Sequence, residues 1–366
     1  MKLALSMLCE NPLRRTGLST LFHEFVRSAL TEHPDISWLV FAGPEQEWTI
    51  ADARVELVRD FPANNRRMAR LWADHARVAP AARARGAAAL LTVGFTPLRA
   101  AGLPVVMHVF TVHHWQKGVG PGGWYRYWAV SRGLRRAALV IVNSRWAAAH
   151  LVRRTAPLLV SYEGLRHDRF AGEGRRGAAG LPENYLLWVS NFYRYKRADL
   201  ALAAYARLPG ELRVRFPFVM IGGDWDGGLG RAREAARALG IGRDVLFTGW
   251  IADETLPDIY RGARAHVLST TEETFGRSVT EAMACGCPCV LQEIPVLREV
   301  TDGAAVFTDF ADSALAASAL RSVCVDDLLA AGLRSAGLRR AAAFGFDKLA
   351  RERLASILRV LAQPDR

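Results

Sequence analysis

The stretch Glu273-Thr-Phe-Gly-Arg-Ser-Val-Thr-Glu281-Ala-Met-Ala-Cys-Gly-Cys-Pro288 constrains this chain more than any other. Before it, Ala263-Arg-Ala-His-Val-Leu-Ser-Thr-Thr271 is apolar, β-capable and ends in hydroxyls, the pattern of a strand running out into a loop. Gly276 to Ala284 then reads as a helix stopped by Gly286 and Pro288, and Cys289-Val-Leu291 starts another strand. Strand, loop, helix and strand in that order make one step of a parallel sheet. Ligands on such sheets bind at the carboxyl ends of the strands, where helix N-termini offer free N–H groups to anions. Glu273 and Glu281 flank that opening with seven residues between them. A carboxylate repels a diphosphate, so both are candidates for accepting hydrogen bonds from sugar or ribose hydroxyls beside one. Ser278-Val-Thr-Glu281 also fits a helix capping box, which would occupy Glu281 with no ligand at all.

At 366 residues the chain exceeds what one core usually fills, so two domains are expected. With 51 % hydrophobic and 23 % charged residues it is globular and not disordered. No apolar run approaches the ~18 to 20 residues of a membrane span. Met-Lys-Leu-Ala-Leu-Ser-Met-Leu-Cys-Glu10 reads as a first strand and not as a signal peptide, so a cytoplasmic location is expected. Five cysteines, an odd number, argue against a disulfide scaffold. Cys285, Cys287 and Cys289 alternate with Gly and Pro at a helix end, which is a small-residue turn and not a zinc ribbon.

The net charge of +12 is uneven: residues 1–175 hold 24 Lys and Arg against 13 Asp and Glu, or +11, which leaves +1 for the rest. Arg59, Arg66, Arg67, Arg70, Arg77, Arg83 and Arg85 crowd one segment; Arg132, Arg135, Arg136, Arg145, Arg153 and Arg154 crowd another. Such a face suits anionic lipid headgroups, nucleic acid or an anionic acceptor, unless it only reflects a compositional bias toward Arg and Ala.

Along the chain, Lys2 to Leu8 is expected as a strand, followed by a loop ending in Thr16-Gly17 and a helix to about Leu30. Gly17 at that loop-to-helix entry lets backbone approach a ligand closely. The absence of GxGxxG argues against a dinucleotide enzyme. Ile36 to Phe41 is a second strand, and the arginine-rich segment 60–85 is expected to be helical. Leu103-Pro-Val-Val-Met-His108-Val-Phe110 reads as a strand whose His either meets a ligand at the strand's end or sits in the core. His113 and His114 beyond it point apart in an extended chain and make no metal pair. A helix from Trp124 and a strand from Ala138 follow.

The glycine-rich segment 171–182 is the candidate linker. After it, strands begin at Asn184, Phe216, Asp244, Ala265, Cys289 and Ala305, with helices between them. Both halves are therefore doubly wound α/β units: residues 1–170 and 183–343, with an amphipathic helix in 344–366 expected to pack back toward the first. At the end of the second half's first strand, Ser190-Asn191-Phe-Tyr-Arg194-Tyr-Lys196-Arg197 sets three cations and an amide at a strand-to-helix turn, a candidate anion site. Gly222-Gly-Asp-Trp-Asp226-Gly-Gly could offer two carboxylates to a metal, but it has the composition of a polar turn, and no metal site is expected.

Glu-x7-Glu enclosing Phe-Gly and closing on Glu-Ala-Met-Ala-Cys-Gly-Cys-Pro resembles the nucleotide-diphosphate subsite of retaining glycosyltransferases of the family 4 type, which have the GT-B fold. The likeness extends over most of the chain. Thr16-Gly17 resembles the family's acceptor-domain glycine loop, and His108 falls where the family has a His-Asp strand end, with Val109 in place of the Asp. Glu163 to Phe170 is similar to the segment before the family's linker, Gly249-Trp-Ile251 resembles its base-binding turn, and Val296-Leu-Arg-Glu-Val300 matches a segment after the main motif. Lys196 matches its phosphate-binding Lys; the motif's Arg corresponds to Asn191, so Arg194 is taken as the second cation.

The resemblance implies two Rossmann-like domains facing across a cleft, and a metal-independent, retaining transfer of a hexose from GDP-mannose or a UDP-hexose. The acceptor would be a glycan or lipid-linked saccharide of bacterial surface polysaccharide or glycolipid synthesis. His108, Glu273, Lys196 and Arg194 would be catalytic. Gly17, Asn191, Ile251, Phe275, Gly276 and Glu281 would bind the donor, a co-substrate beside which no cofactor is implied. Partners expected are the donor, the acceptor and an anionic membrane at the inner face, with no nucleic acid. The rival reading is a non-catalytic sugar-nucleotide-binding member of a glycan-assembly complex; a GT-B epimerase or phosphorylase is a further one.

Overall fold

The computed structural model describes residues 1–10, 17–62, 64–110, 120–151, 154–224 and 226–363. The chain divides into two compact units: residues 1–164 with 345–366, and Leu165–Phe344.

Among the described residues the first unit is built on seven strands, β1 (Lys2–Ser6), β2 (Ser37–Phe41), β3 (Val55–Val58), β4 (Ala87–Val93), β5 (Val105–Val109), β6 (Leu139–Val142) and β7 (Leu158–Val160). They lie in the order β3-β2-β1-β4-β5-β6-β7, all parallel. Its helices are α1 (Gly17–Glu32), α2 (Arg67–Ala76), α3 (Val78–Ala84), α4 (Gly120–Arg136) and α5 (Arg145–His150). The second unit has β8 (Leu186–Val189), β9 (Phe218–Ile221), β10 (Val245–Gly249), β11 (Ala265–Leu268), β12 (Cys289–Gln292) and β13 (Val306–Thr308), in the parallel order β10-β9-β8-β11-β12-β13. Around them run α6 (Ala198–Ala206), α7 (Gly210–Arg215), α8 (Gly228–Ala238), α9 (Leu256–Gly262), α10 (Arg277–Ala284), α11 (Pro295–Thr301), α12 (Ser313–Val325) and α13 (Asp327–Ala341). A last helix, α14 (Phe346–Leu361), belongs to the first unit. Both units are thus doubly wound Rossmann-like α/β folds.

Central strands such as β5, β6, β9 and β11 are buried along their whole length, which is why they read as unbroken apolar runs. In the first unit α1 buries Leu21, Phe22, Phe25, Val26 and Ala29 in one core with Phe346, Leu349, Leu354 and Ile357 of α14. Each such large side chain contributes about 1.5 to 3 kcal/mol relative to exposure. Arg351 adds an ion pair to Glu32 at 3.0 Å. The division between units falls at Gly164/Leu165 and not in the glycine-rich segment. Residues 171–182 are not a free linker: Arg261 donates to Ala171 O (3.0 Å) and Arg175 O (2.8 Å), and Gly177 N donates to Asp258 O (2.7 Å). That side chain from α9 holds the segment on the second unit.

Candidate functional site

In the second sheet the crossover direction reverses between β8 and β11, which are neighbours (Ala265↔Leu186, His266↔Leu187). The crevice outside the carboxyl ends of two such strands is where open α/β sheets bind ligands. Beyond β8 the chain makes a short 3-10 turn, Arg194–Lys196; beyond β11 come Ser269, Thr270 and Thr271. Those three residues fasten the turn. Ser269 Oγ lies 2.7 Å from Arg197 O, Thr270 Oγ1 lies 3.2 Å from Tyr195 O, and Thr271 N donates to Tyr195 O at 2.9 Å. Ser269 and Thr270 are fully buried, so the turn cannot swing away from β11 without stranding hydroxyls.

The fastening brings Lys196 onto Glu273. Lys196 Nζ and Glu273 Oε1 form an ion pair, the two side chains being only 13 % and 15 % exposed. Glu281, one helix further on, is 12 % exposed; it accepts from Arg277 Nε at 3.1 Å and from the Tyr260 hydroxyl at 3.2 Å. Burial holds the Glu281 carboxyl above its ordinary range, and Arg277 only partly offsets this. The Tyr260 hydroxyl is pushed up by its own burial and by the Glu281 charge. Gly276, the residue just before α10, is left-handed (φ +95°) and a Cβ there would stand 2.7 Å from Leu297 Cδ2, so glycine is required. No side chain among the described residues caps α10. Ser278 is inside the helix with its Oγ 3.2 Å from His266 Nε2, so the capping box does not form.

Phe275 is 2 % exposed and packs edge-on against Phe344 at 5.6 Å, which leaves its backbone as the part able to meet a ligand. Arg194 is exposed and forms no ion pair among the described residues. Arg197, at φ +49°, pairs with Asp199 at 2.8 Å and is occupied in starting α6. Asn191 Oδ1 accepts from Gly223 N (3.1 Å), which stitches the loop after β8 to the loop after β9. Gly222 permits that approach, since a Cβ there would lie 1.7 Å from Ser190 O. Asp226 is held by Arg231 at 3.0 Å, and no group of metal-ligating side chains occurs among the described residues. Ile251 is half-buried beside Trp250, which is 68 % exposed after Gly249 (φ +73°).

The remaining expected residues lie in the first unit. Gly17 is the first residue of α1 and exposed; Thr16 and the pair His113 and His114 fall outside the described residues. His108 departs from the expectation of a side chain beside a ligand. It is the fourth residue of β5 and fully buried, edge-on to Phe22 (5.1 Å) and stacked under Phe110 (5.3 Å). Val109 carries the strand past it and Phe110 closes over the ring. Burial, then the charge of Arg353, holds His108 well below its ordinary pKa. Arg353 of α14, which sequence reasoning passed over, is itself fully buried, donates Nε to Ser161 Oγ (3.1 Å), and is brought down to about 10 by burial.

Arg277 and Tyr260 were also missed, as was the tethering of the Lys196 turn by the Ser269–Thr271 hydroxyls. The i,i+4 spacing of Arg277 and Glu281 could have flagged the first, and three hydroxyls in succession after an apolar strand the last.

Residues 175–339 match the family described as "Glycosyl transferases group 1". The O-antigen chain mannosyltransferase B of Escherichia coli is 32 % identical over 168 residues, 45 % of this chain and 43 % of that protein. The chain spans about half the length of the curated relatives it matches. Among solved structures, sucrose-phosphate synthase from Thermosynechococcus elongatus superposes with a TM-score of 0.81 at 19 % identity, covering 98 % of both chains. Anabaena HepE in complex with UDP and glucose gives 0.71 at 18 %, covering 98 % of this chain and 99 % of that one. At such identities the likeness is one of fold. The second unit of this chain belongs to the glycosyl transferases group 1, and the two Rossmann-like units together have GT-B glycosyltransferases as their structural neighbours.

Proposed function

We propose that the chain is a retaining glycosyltransferase of the family 4 type. In this reading it takes a hexose from GDP-mannose or a UDP-hexose to a glycan or lipid-linked acceptor in bacterial surface polysaccharide or glycolipid synthesis. The observation that carries the reading is the Lys196–Glu273 pair at the reversal between β8 and β11. One cation and one acid held side by side suit a ligand with phosphates next to hydroxyls. The mannosyltransferase relative and the UDP complex of a structural neighbour support the same class of donor.

In this mechanism Lys196, helped by exposed Arg194, neutralises the departing diphosphate, so the positive charge needed in the transition state requires no metal. Glu273 accepts from the sugar hydroxyls, with the backbone N–H groups of Phe275 and Gly276 beside it. Glu281 accepts from the ribose hydroxyls, and Asn191 and Ile251 border the nucleotide. The bond between the anomeric carbon and the phosphate oxygen breaks, the acceptor oxygen bonds to that carbon from the same face, and the acceptor's proton passes to the phosphate oxygen that leaves. Gly17 and His108 belong to the acceptor unit; fully buried, His108 acts by shaping the strand end it underlies.

Incubation with each nucleotide sugar, followed by measurement of released nucleotide, tests the reading. Lys196→Met should lower release about 10²-fold or more, the cost of removing one transition-state charge contact. Nucleotide binding with no release from any donor would favour the non-catalytic partner instead, and unchanged release from Lys196→Met would refute the assignment of Lys196.

A further inference from the structure

Apart from Met1, every exposed large apolar side chain among the described residues of the first unit gathers in one place. Met68 (79 % exposed) and Trp72 (60 %) stand one turn apart on α2, Trp124 (58 %) and Trp128 (45 %) one turn apart on α4, and Leu98 (60 %) in the loop after β4. His75 joins the three segments. Its Nε2 lies 2.6 Å from the Tyr125 hydroxyl, its ring 6.2 Å from Trp128, and its carbonyl accepts from Arg99 N at 2.9 Å, which brings Leu98 alongside. Arg132 ties the same loop to α4 through Thr96 O (2.9 Å) and Pro97 O (3.1 Å).

The rim of this patch is cationic. Arg67, Arg99 and Arg126 are exposed beside Met68, Leu98 and the α4 tryptophans, and the Arg77 guanidinium lies 5.3 Å from the Trp72 ring. The one acid on either helix, Asp74, is 1 % exposed and already paired with Arg70 at 2.8 Å. A monomeric surface rarely keeps so many large apolar groups together without a use. A second copy of the chain would set the same arginines against one another. Tryptophans that sit at the headgroup level, with arginines reaching phosphates, match an anionic bilayer in both chemistry and charge.

We propose that the α2–α4 face docks on a membrane surface rich in anionic phospholipid, with Trp72 and Trp128 in the interface and Arg67, Arg77 and Arg99 on lipid phosphates. This is independent of the donor chemistry in the second unit. The arginines that take part differ from the simple basic excess: Arg59 is spent on Gly43 O (3.1 Å) and Gln46 O (2.8 Å), Arg70 on Asp74, and Arg132 on Thr96.

The test is flotation of the full chain with phosphatidylcholine vesicles with and without phosphatidylglycerol. The wild type should float with the anionic vesicles and be released by salt. Trp72→Ser with Trp128→Ser, and separately Arg67→Glu with Arg99→Glu, should each weaken partitioning by about tenfold or more. Both double variants should be stabilised by UDP or GDP to the same extent as the wild type in a thermal-shift measurement, which separates this outcome from failure of the donor site. No flotation, flotation unchanged in both variants, a dimer that Trp72→Ser dissolves, or protection of the tryptophans by a soluble oligosaccharide would each overturn the proposal.

Discussion

Lys196 and Glu273 can be tested as a unit by a double-mutant cycle. The pair is neither exposed nor fully buried, at 13 % and 15 % side-chain exposure. Exposed ion pairs couple by less than about 1 kcal/mol, whereas removing one partner of a fully buried pair costs about 3 to 5 kcal/mol. Lys196→Met leaves a carboxylate in a mostly dry site and should cost about 2 to 3 kcal/mol; Glu273→Gln, which strands a flexible ammonium, about 1 to 2. The double variant should be less damaged than the sum by about 1 to 2 kcal/mol. Urea titrations of the four proteins with unchanged slopes give these values. Repeating them with ligand separates the roles: nucleotide diphosphate at a hundred times its Kd should add about 2.7 kcal/mol to the wild type. Glu273→Gln should retain that response but gain nothing further from the attached sugar, and Lys196→Met should lose it. Single effects that add to within about 0.5 kcal/mol, or full stabilisation of Lys196→Met by nucleotide, would refute the reasoning.

Two other expectations follow from the geometry. Gly222→Ala puts a Cβ 1.7 Å from Ser190 O, a backbone atom that cannot rotate aside, so the loops after β8 and β9 must separate. A loss of about 3 kcal/mol or more in urea is expected, and a loss under about 0.5 would contradict it. In the first unit, burial outweighs Arg70 and raises the Asp74 carboxyl to about 6, while burial and the nearby Arg132 and Arg70 lower His75 to about 4. Between pH 4 and 6 folded Asp74 keeps a proton that the unfolded chain releases, so its contribution falls as pH rises. From pH 6.5 to 4 the unfolded chain takes up a proton that folded His75 refuses, so that contribution falls as pH falls. Each is worth about 3 kcal/mol at the full shift, and over the shared window they oppose. Asp74→Asn should therefore expose an acid loss steeper than the wild type's by up to about 1.4 kcal/mol per pH unit, read from urea midpoints across pH; identical pH profiles would disprove it.

The second unit was largely legible in the residues, because its six strands are short apolar runs bounded by turn residues and its main motif spells out the strand, loop and helix around Glu273 and Glu281. The first unit was less so. Strand β3 (Val55–Val58) is only partly buried and interrupted by Glu56, and β4 begins in alanines that carry no β preference, so neither declared itself. The candidate site could be read as a list of residues but not as a set of contacts. That Glu281 is bound by Tyr260 from α9, or that Ser269 to Thr271 tether the turn of Lys196, depends on pieces many residues apart meeting at one sheet edge. His108 shows the converse: its place in the strand was readable, yet the rings of Phe22 and Phe110 that enclose it come from packing.

The return of α14 to the first unit bears on how the molecule is made. Residues 165–344 are contiguous, so the ribosome delivers every strand and helix of that unit before the helix that fills out its predecessor has left the exit tunnel. Until Phe346, Leu349, Leu354 and Ile357 emerge, Leu21, Phe22 and Phe25 lack their cover, and the half translated first is the half completed last. Nascent chains tethered so that residue 344 has cleared the exit tunnel and α14 has not should therefore hold a folded second lobe beside a protease-sensitive first one, the reverse of the usual order from the N-terminus.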